Sequence, residues 1–282
     1  GIWLINHAGQ LAFLLILVTV MSVASPQFRT ANNIINVCRQ VSINMIIACA
    51  MTMVLIIGGI DLSVGSIMAM AGMIAAFLSL KGIPFAVCIT AGLAAGAAAG
   101  FVNGMILANT KLPPFIVTYA VQSILRGMVY VITGAGTIRL TSDTFLKFGG
   151  ASLGIIPLPV IYMVIIIVIS TLILGRSKFG RHMFAIGGNS KAAQYAGINI
   201  KKVTLLIYII SGICAALAGL VLTSRNSSMQ PAVGNGAEMD AIAAVVLGGT
   251  SMAGGRGSVS GTILGAFIIG FINNGLNMLQ MD

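Results

Sequence analysis

The chain has 282 residues, of which 58% are hydrophobic and only 7% charged, where an ordinary soluble domain carries about 25% charged residues. Its mean hydropathy of +1.05 and its repeated long apolar runs exclude a soluble domain, a disordered or collagen-like chain, a disulfide scaffold and a nucleic-acid binder, and call for a lipid solvent. The net charge of +10, from 15 Lys+Arg against 5 Asp+Glu, sits in connecting loops, where basic residues set orientation and meet acidic headgroups. Cys38, Cys49, Cys88 and Cys214 lie in or beside apolar segments without C-x-x-C spacing. They are predicted to be packing residues, with no metal site.

Taken in chain order, apolar segments of spanning character fall near 8–24, 41–59, 62–80, 84–108, 114–133, 154–174, 203–223 and 258–279, with a shorter ninth at 238–249. The predicted fold is therefore an all-α polytopic membrane protein, a tightly packed helical bundle of about nine spans forming one transmembrane domain over 1–282. The connection 175–202 holds six basic residues (Arg176, Lys178, Arg181, Lys191, Lys201, Lys202) and no acidic one. The positive-inside rule places it in the cytoplasm. Parity from that anchor puts the N-terminus inside, with eight basic residues in inner connections against six in outer ones.

GGIDLSVGS (58–66) joins the second and third segments. Gly58 and Gly59 can end one helix and Asp61 can cap the next; alternatively the carboxylate lines a substrate or proton path, because acids at membrane depth are costly. GGRGSVSGTI (254–263) has a similar arrangement on the same side, a possible internal repeat. The fourth segment carries Gly92, Gly96, Gly100 and Gly104, a ridge at G-x-x-x-G spacing that lets two helix backbones approach closely, within the bundle or at a dimer face. Arg126 interrupts the fifth segment, where a guanidinium must pair, anchor carbonyls or line a wet path. Asn103, Asn273, Asn274 and Asn277 are neutral hydrogen-bonding groups within spans, suited to helix contacts or to a polyhydroxylated solute. Glu238 and Asp240 open the ninth segment, as acids in a first helical turn do.

Within the cytoplasmic connection, Asn189 or Ser190 can cap a short helix, KAAQYA, that Gly197 ends. A helix this short must dock on something. Gly187 and Gly188 ahead of it offer a turn that presents it away from the bundle, as a handle for a separate motor subunit. The chain holds no G-x-x-x-x-G-K-[ST] phosphate loop, and His7 and His182 lack the company of a metal or protease site. No enzyme and no cofactor are expected on this chain.

Three stretches, GGIDLSVGS (58–66), GRHMFAIGGNSKAAQYAGINI (180–200) and DAIAAVVLGGTSMAGGRGSVSGTILGAFIIGFINNGLNML (240–279), together resemble the membrane permease of bacterial ABC importers for simple sugars, the ribose-type family. The resemblance implies that fold, a bacterial inner-membrane location, a second permease copy (identical or related), a cytoplasmic ATPase with two fused nucleotide-binding domains, and a periplasmic sugar-binding protein. It carries the family's ATPase-contacting loop onto Gly187, Gly188, Asn189, Ala192, Ala193 and Gly197, with Ser190 beside the cap. It also implies a cytoplasmic leader before Gly1 and a tenth span after Asp282. The expected mechanism is alternating access, with path candidates Asp61, Asn103, Arg126, Asn273 and Asn274 and no strongly polar binding constellation. The alternatives from other classes are a facilitator-type secondary sugar transporter, echoed in GRSKFGR (175–181), and a scaffold that recruits membrane subunits through the glycine ridge. A related ABC permease for a sugar-like signalling molecule is the nearest variant.

Overall fold

The computed structural model describes residues 8–278. His7, singled out above, lies outside the described residues. The described chain is mostly helical, and each of the nine apolar segments holds a helix: α1 (Ala8–Ala24), α2 (Ala31–Ile56), α3 (Val64–Leu80), α4 (Phe85–Asn109), α5 (Pro114–Thr133), α7 (Leu158–Arg176), α10 (Ile200–Arg225), α11 (Ala237–Leu247) and α12 (Val259–Met278). Six of these, α2, α4, α5, α7, α10 and α12, are long and apolar enough to cross a membrane, while α1 and α3 are shorter apolar helices. The bundle is thus a multi-pass membrane protein. Apolar side chains such as Ile124, Val131, Val164 and Val168 point outward, a surface that suits lipid.

Between the apolar helices lie α6 (Asp143–Gly150), α8 (Lys178–Gly188) and α9 (Ser190–Tyr195). A two-residue strand β1 (Ile138–Arg139) pairs antiparallel with β4 (Ser228–Met229), and β2 (Ser152–Leu153) pairs with β3 (Ile156–Pro157). The first pairing ties the connection after α5 to the far end of α10. There α6 is also fastened, as the Gly149 N–H donates to Ser224 Oγ at 2.6 Å and that hydroxyl donates to the Phe145 carbonyl.

The core is a helix triplet assembled through small residues. A methyl group added at Gly96 would meet the Gly212 carbonyl, and one at Gly212 would meet Gly96 in turn; Gly100 lies against the backbone of Tyr208 and Ile209, and Gly104 against Leu205. The glycine ridge of α4 is thus spent within the chain, on α10. The opposite face of α10 meets α3, where Gly219 packs on Met68 and Gly72 on Thr223. Lipid offers no hydrophobic drive for helix association, so close backbone approach and dispersion must supply it. Around this triplet α2 is buried over most of its length, from Val41 to Ile56.

Three segments differ from expectation. α2 begins at Ala31 instead of 41, because Thr30 caps it (its side chain accepts the Asn33 N–H) and the helix's polar first turns are held by neighbours: Asn33 and Asn274 exchange amide hydrogen bonds. α8 is a helix where a loop was expected, with Ser177 Oγ accepting the Gly180 N–H at its start. Gly187 and Gly188 are therefore the last residues of a helix, not a free turn. The ninth segment yields only eleven residues of helix in α11, about 16 Å at 1.5 Å per residue and half of a hydrocarbon core of about 30 Å.

Candidate functional site

The end of the molecule that carries the 175–202 connection is organised around a glycine junction. The Gly255 N–H donates to the Ile56 carbonyl at the end of α2, at 2.8 Å. A methyl group on Gly187 would strike both the Ile56 carbonyl and the Gly255 nitrogen, and one on Gly254 would crowd the Gly58 nitrogen and the Gly187 carbonyl. Gly254 and Gly255 have φ of +87° and +74°, which only glycine adopts without strain. The two glycine-rich stretches, 58–66 and 254–263, meet each other and the end of α8 at this point.

From the junction the chain turns outward into α9. Asn189 caps it, its Oδ1 accepting the Ala192 N–H at 3.0 Å, and Gly197 (φ +83°) closes it with Ile198 N–H donating back to the Ala193 carbonyl. Ala193 is its one buried residue, whereas Ser190, Ala192 and Gln194 are exposed and the Tyr195 ring is 91% exposed. A helix that six residues cannot stabilise in water thus rests on one alanine and offers its remaining surface outward.

Asp61 and Asn103 are brought together, but inside the wall. Asp61 is fully buried; its Oδ1 accepts from the Ser63 backbone N–H and hydroxyl, and its Oδ2 accepts from Ser211 Oγ on α10 at 2.7 Å. Asn103 Nδ2 donates to Ser63 Oγ at 2.8 Å. Thr118 of α5 donates to the Ile60 carbonyl and accepts the Leu62 N–H, and Tyr208 also donates to Ile60. These bonds fasten the α2–α3 turn halfway along α10.

Arg126 anchors carbonyls: one guanidinium nitrogen donates to the Pro231 and Val233 carbonyls at 2.6 and 2.7 Å. It thereby holds the turn 230–236, which leads into α11 and folds back so far that Gly234 touches the backbone of Gly65 at the start of α3. Irregular backbone at such depth is stable only when buried in protein or beside a wet cavity.

A cavity of about 330 Å³ lies beside that turn, between α2, α3 and the C-terminal end of α10. Its polar lining is Gln40 and Asn44 from α2, Arg225 and Asn226 from α10, and Asn235 and Asp240 from the turn and α11. Of the five path candidates, only Asn273 reaches it, by donating to Asp240 Oδ2 at 3.0 Å; Asn274 is paired with Asn33. Of this lining only Asp240 stands out in the sequence. Gln40 and Asn44 lie one helical turn apart on α2, a spacing readable in the sequence only once the helix is known to begin at Ala31. The cavity and the α9 helix are at opposite ends of α10, whose 26 residues span about 39 Å.

A multi-pass helical bundle with a polar cavity toward one end and a protruding short helix at the other has the architecture of a membrane permease. Residues 33–282 match the family described as branched-chain amino acid transport system / permease component. The ribose import permease protein RbsC of Escherichia coli (strain K12) is 43% identical over 285 residues, covering 99% of this chain and 88% of the relative. That of Bacillus subtilis (strain 168) is 46% identical over 277 residues, covering 97% and 86%, and the D-allose transport system permease protein AlsC of Escherichia coli (strain K12) is 41% identical over 276 residues, covering 97% and 85%. No solved structure matches the chain. The chain belongs to this permease family, in the ribose-type group of ABC importer permeases. It is a translocation subunit and not an enzyme.

Proposed function

We propose that this permease moves a simple sugar, a ribose- or allose-like pentose or hexose, across the bacterial inner membrane by alternating access, powered by a separate cytoplasmic ABC ATPase. In this reading two copies of the permease, or this chain and a related one, pair in the membrane, each with nine or ten spans. A periplasmic sugar-binding protein delivers the solute, and no cofactor is needed on this chain. The observation that carries the reading is the outward-standing α9 helix, Asn189-capped and Gly197-closed, joined through Gly187 to the inner end of α2. The segment 175–202 is the ATPase-coupling region, with Gly187, Gly188, Asn189, Ser190, Ala192, Ala193 and Gly197 as its contact and framing residues. A displacement of α9 by the motor is passed to the α2–α3 turn through the glycine junction, where backbone touches backbone and no side chain can absorb the movement.

The test is reconstitution in proteoliposomes with the ATPase and the binding protein. Uptake of D-ribose or D-allose is expected to require all three components and ATP, and Ala192→Glu is expected to release the ATPase from a permease that is still folded. Full-rate uptake without the ATPase would overturn the reading.

A further inference from the structure

We infer that the cavity between α2, α3, the end of α10 and the 230–236 turn with the start of α11 is a monosaccharide subsite in the permease itself, where amide side chains and one carboxylate take the hydroxyls of the sugar. The inference rests on the importer reading above. The volume of about 330 Å³ falls at the lower end of small-molecule sites, about 300–1,000 Å³, as befits a single sugar ring. Gln40, Asn44, Asn226 and Asn235 line it, and each amide offers two donors and an acceptor. The hydrogen bonds of this region run from Asn273 to Asp240 and from Arg126 to the turn. Among the described residues none engages these four amide side chains. They are left for whatever fills the cavity.

Asp240 is oriented by Asn273, which occupies Oδ2 and leaves Oδ1 as an acceptor for a hydroxyl. One carboxylate and one guanidinium, Asp240 and Arg225, leave the lining without net charge, so an ionic solute gains little while a neutral polyol finds donors and acceptors on every side. Ile43, Met68 and Leu222 supply an apolar wall for the C–H face of the ring. Among the described residues no aromatic ring lines the cavity. The site is therefore weak, which a permease needs if the sugar is to leave again. The backbone fits the same reading: the 230–236 turn is irregular chain folded in to the level of Gly65, held on one side by protein and bordering the cavity on the other.

The experiment uses the whole complex: the labelling arm runs in right-side-out vesicles without nucleotide, and the transport arm in proteoliposomes supplied with ATP. Cys38 is half-buried and the other three cysteines are buried, so Cys38→Ser removes the background thiol, and Asn235→Cys, at an exposed position, reports on the cavity to a membrane-impermeant maleimide. About 10 mM D-ribose, tenfold above a Kd of about 1 mM, should slow labelling roughly tenfold, and equimolar betaine should not. In the second arm, Asn44→Leu should lower ribose taken up per ATP hydrolysed by about tenfold, the equivalent of one to two hydrogen bonds. If the complex imports ribose but ribose gives no protection and Asn44→Leu transports normally, the subsite is overturned and the importer reading stands. Protection by the binding protein but not by free sugar would also overturn it. A complex that imports none of ribose, allose or arabinose with ATPase and binding protein present overturns both.

Discussion

Replacing Gly187 by alanine places one methyl group between two backbone atoms, the Ile56 carbonyl and the Gly255 nitrogen. Neither can rotate aside, so α8 must move off the end of α2. Overpacking of this kind costs about 1–3 kcal/mol, and opening the Gly255-to-Ile56 hydrogen bond adds about 1 kcal/mol. Alanine returns up to about 1 kcal/mol as the better helix former, which leaves a net loss of about 1–3 kcal/mol. Gly188, the next residue, has open space where a methyl group would go, and Gly188→Ala should be neutral or slightly stabilising. The assay is unfolding of the purified permease by SDS titration in mixed micelles, with the two variants side by side. Reconstituted with its partners, Gly187→Ala should also hydrolyse ATP with less sugar moved per nucleotide. Equal stability and equal coupling for the two variants would refute the junction as a rigid contact.

Arg126→Ala should destabilise by about 2–4 kcal/mol, since two charge-assisted hydrogen bonds to the 230–236 turn are lost; protease cleavage at that turn from the outer side of vesicles is the readout. Arg126→Lys should recover part of this, because one ammonium can reach a carbonyl without the guanidinium's planar geometry. Asp61→Leu should cost about 2–4 kcal/mol by stranding the Ser63 N–H and the Ser211 hydroxyl. Asp61→Asn should be much milder in the same SDS titration, since its carbonyl oxygen replaces Oδ1 and its amide can donate to Ser211. Tyr195→Ala removes an exposed ring from α9 and should leave permease stability within about 0.5 kcal/mol while weakening ATPase co-purification.

Much of the bundle is legible in the chain because its signals are local. Apolar runs mark the helices through the cost of burying unpaired backbone in lipid, and the Asn189 cap with Gly197 delimits α9 from four or five residues alone. The cases that escape a sequence reading have a different character. The polar start of α2 resembles a connection until Asn274, more than two hundred residues later, is found to satisfy Asn33. Asp61 and Arg126 are conspicuous in the sequence as charges at membrane depth, yet their partners are hydroxyls and carbonyls, groups every residue or many residues carry and no pattern can single out. The α4 ridge is visible as spacing, but whether it faces another copy or α10 depends on Gly212, Tyr208 and Leu205 being across from it.

By itself the sequence determined that this is a helical membrane protein, where its apolar helices fall, and which connection carries a short capped helix, because hydropathy and capping act within a turn or two of chain. Only the tertiary structure decided the polar cavity. Its polar lining comes from α2, from the end of α10 and from the turn before α11 and its first residues, segments separated by up to two hundred residues, and each of its amides taken alone is an ordinary polar residue. They come together because the small residues of α3, α4 and α10 let the helices close to backbone contact, and because Arg126 holds the 230–236 turn inside the bundle.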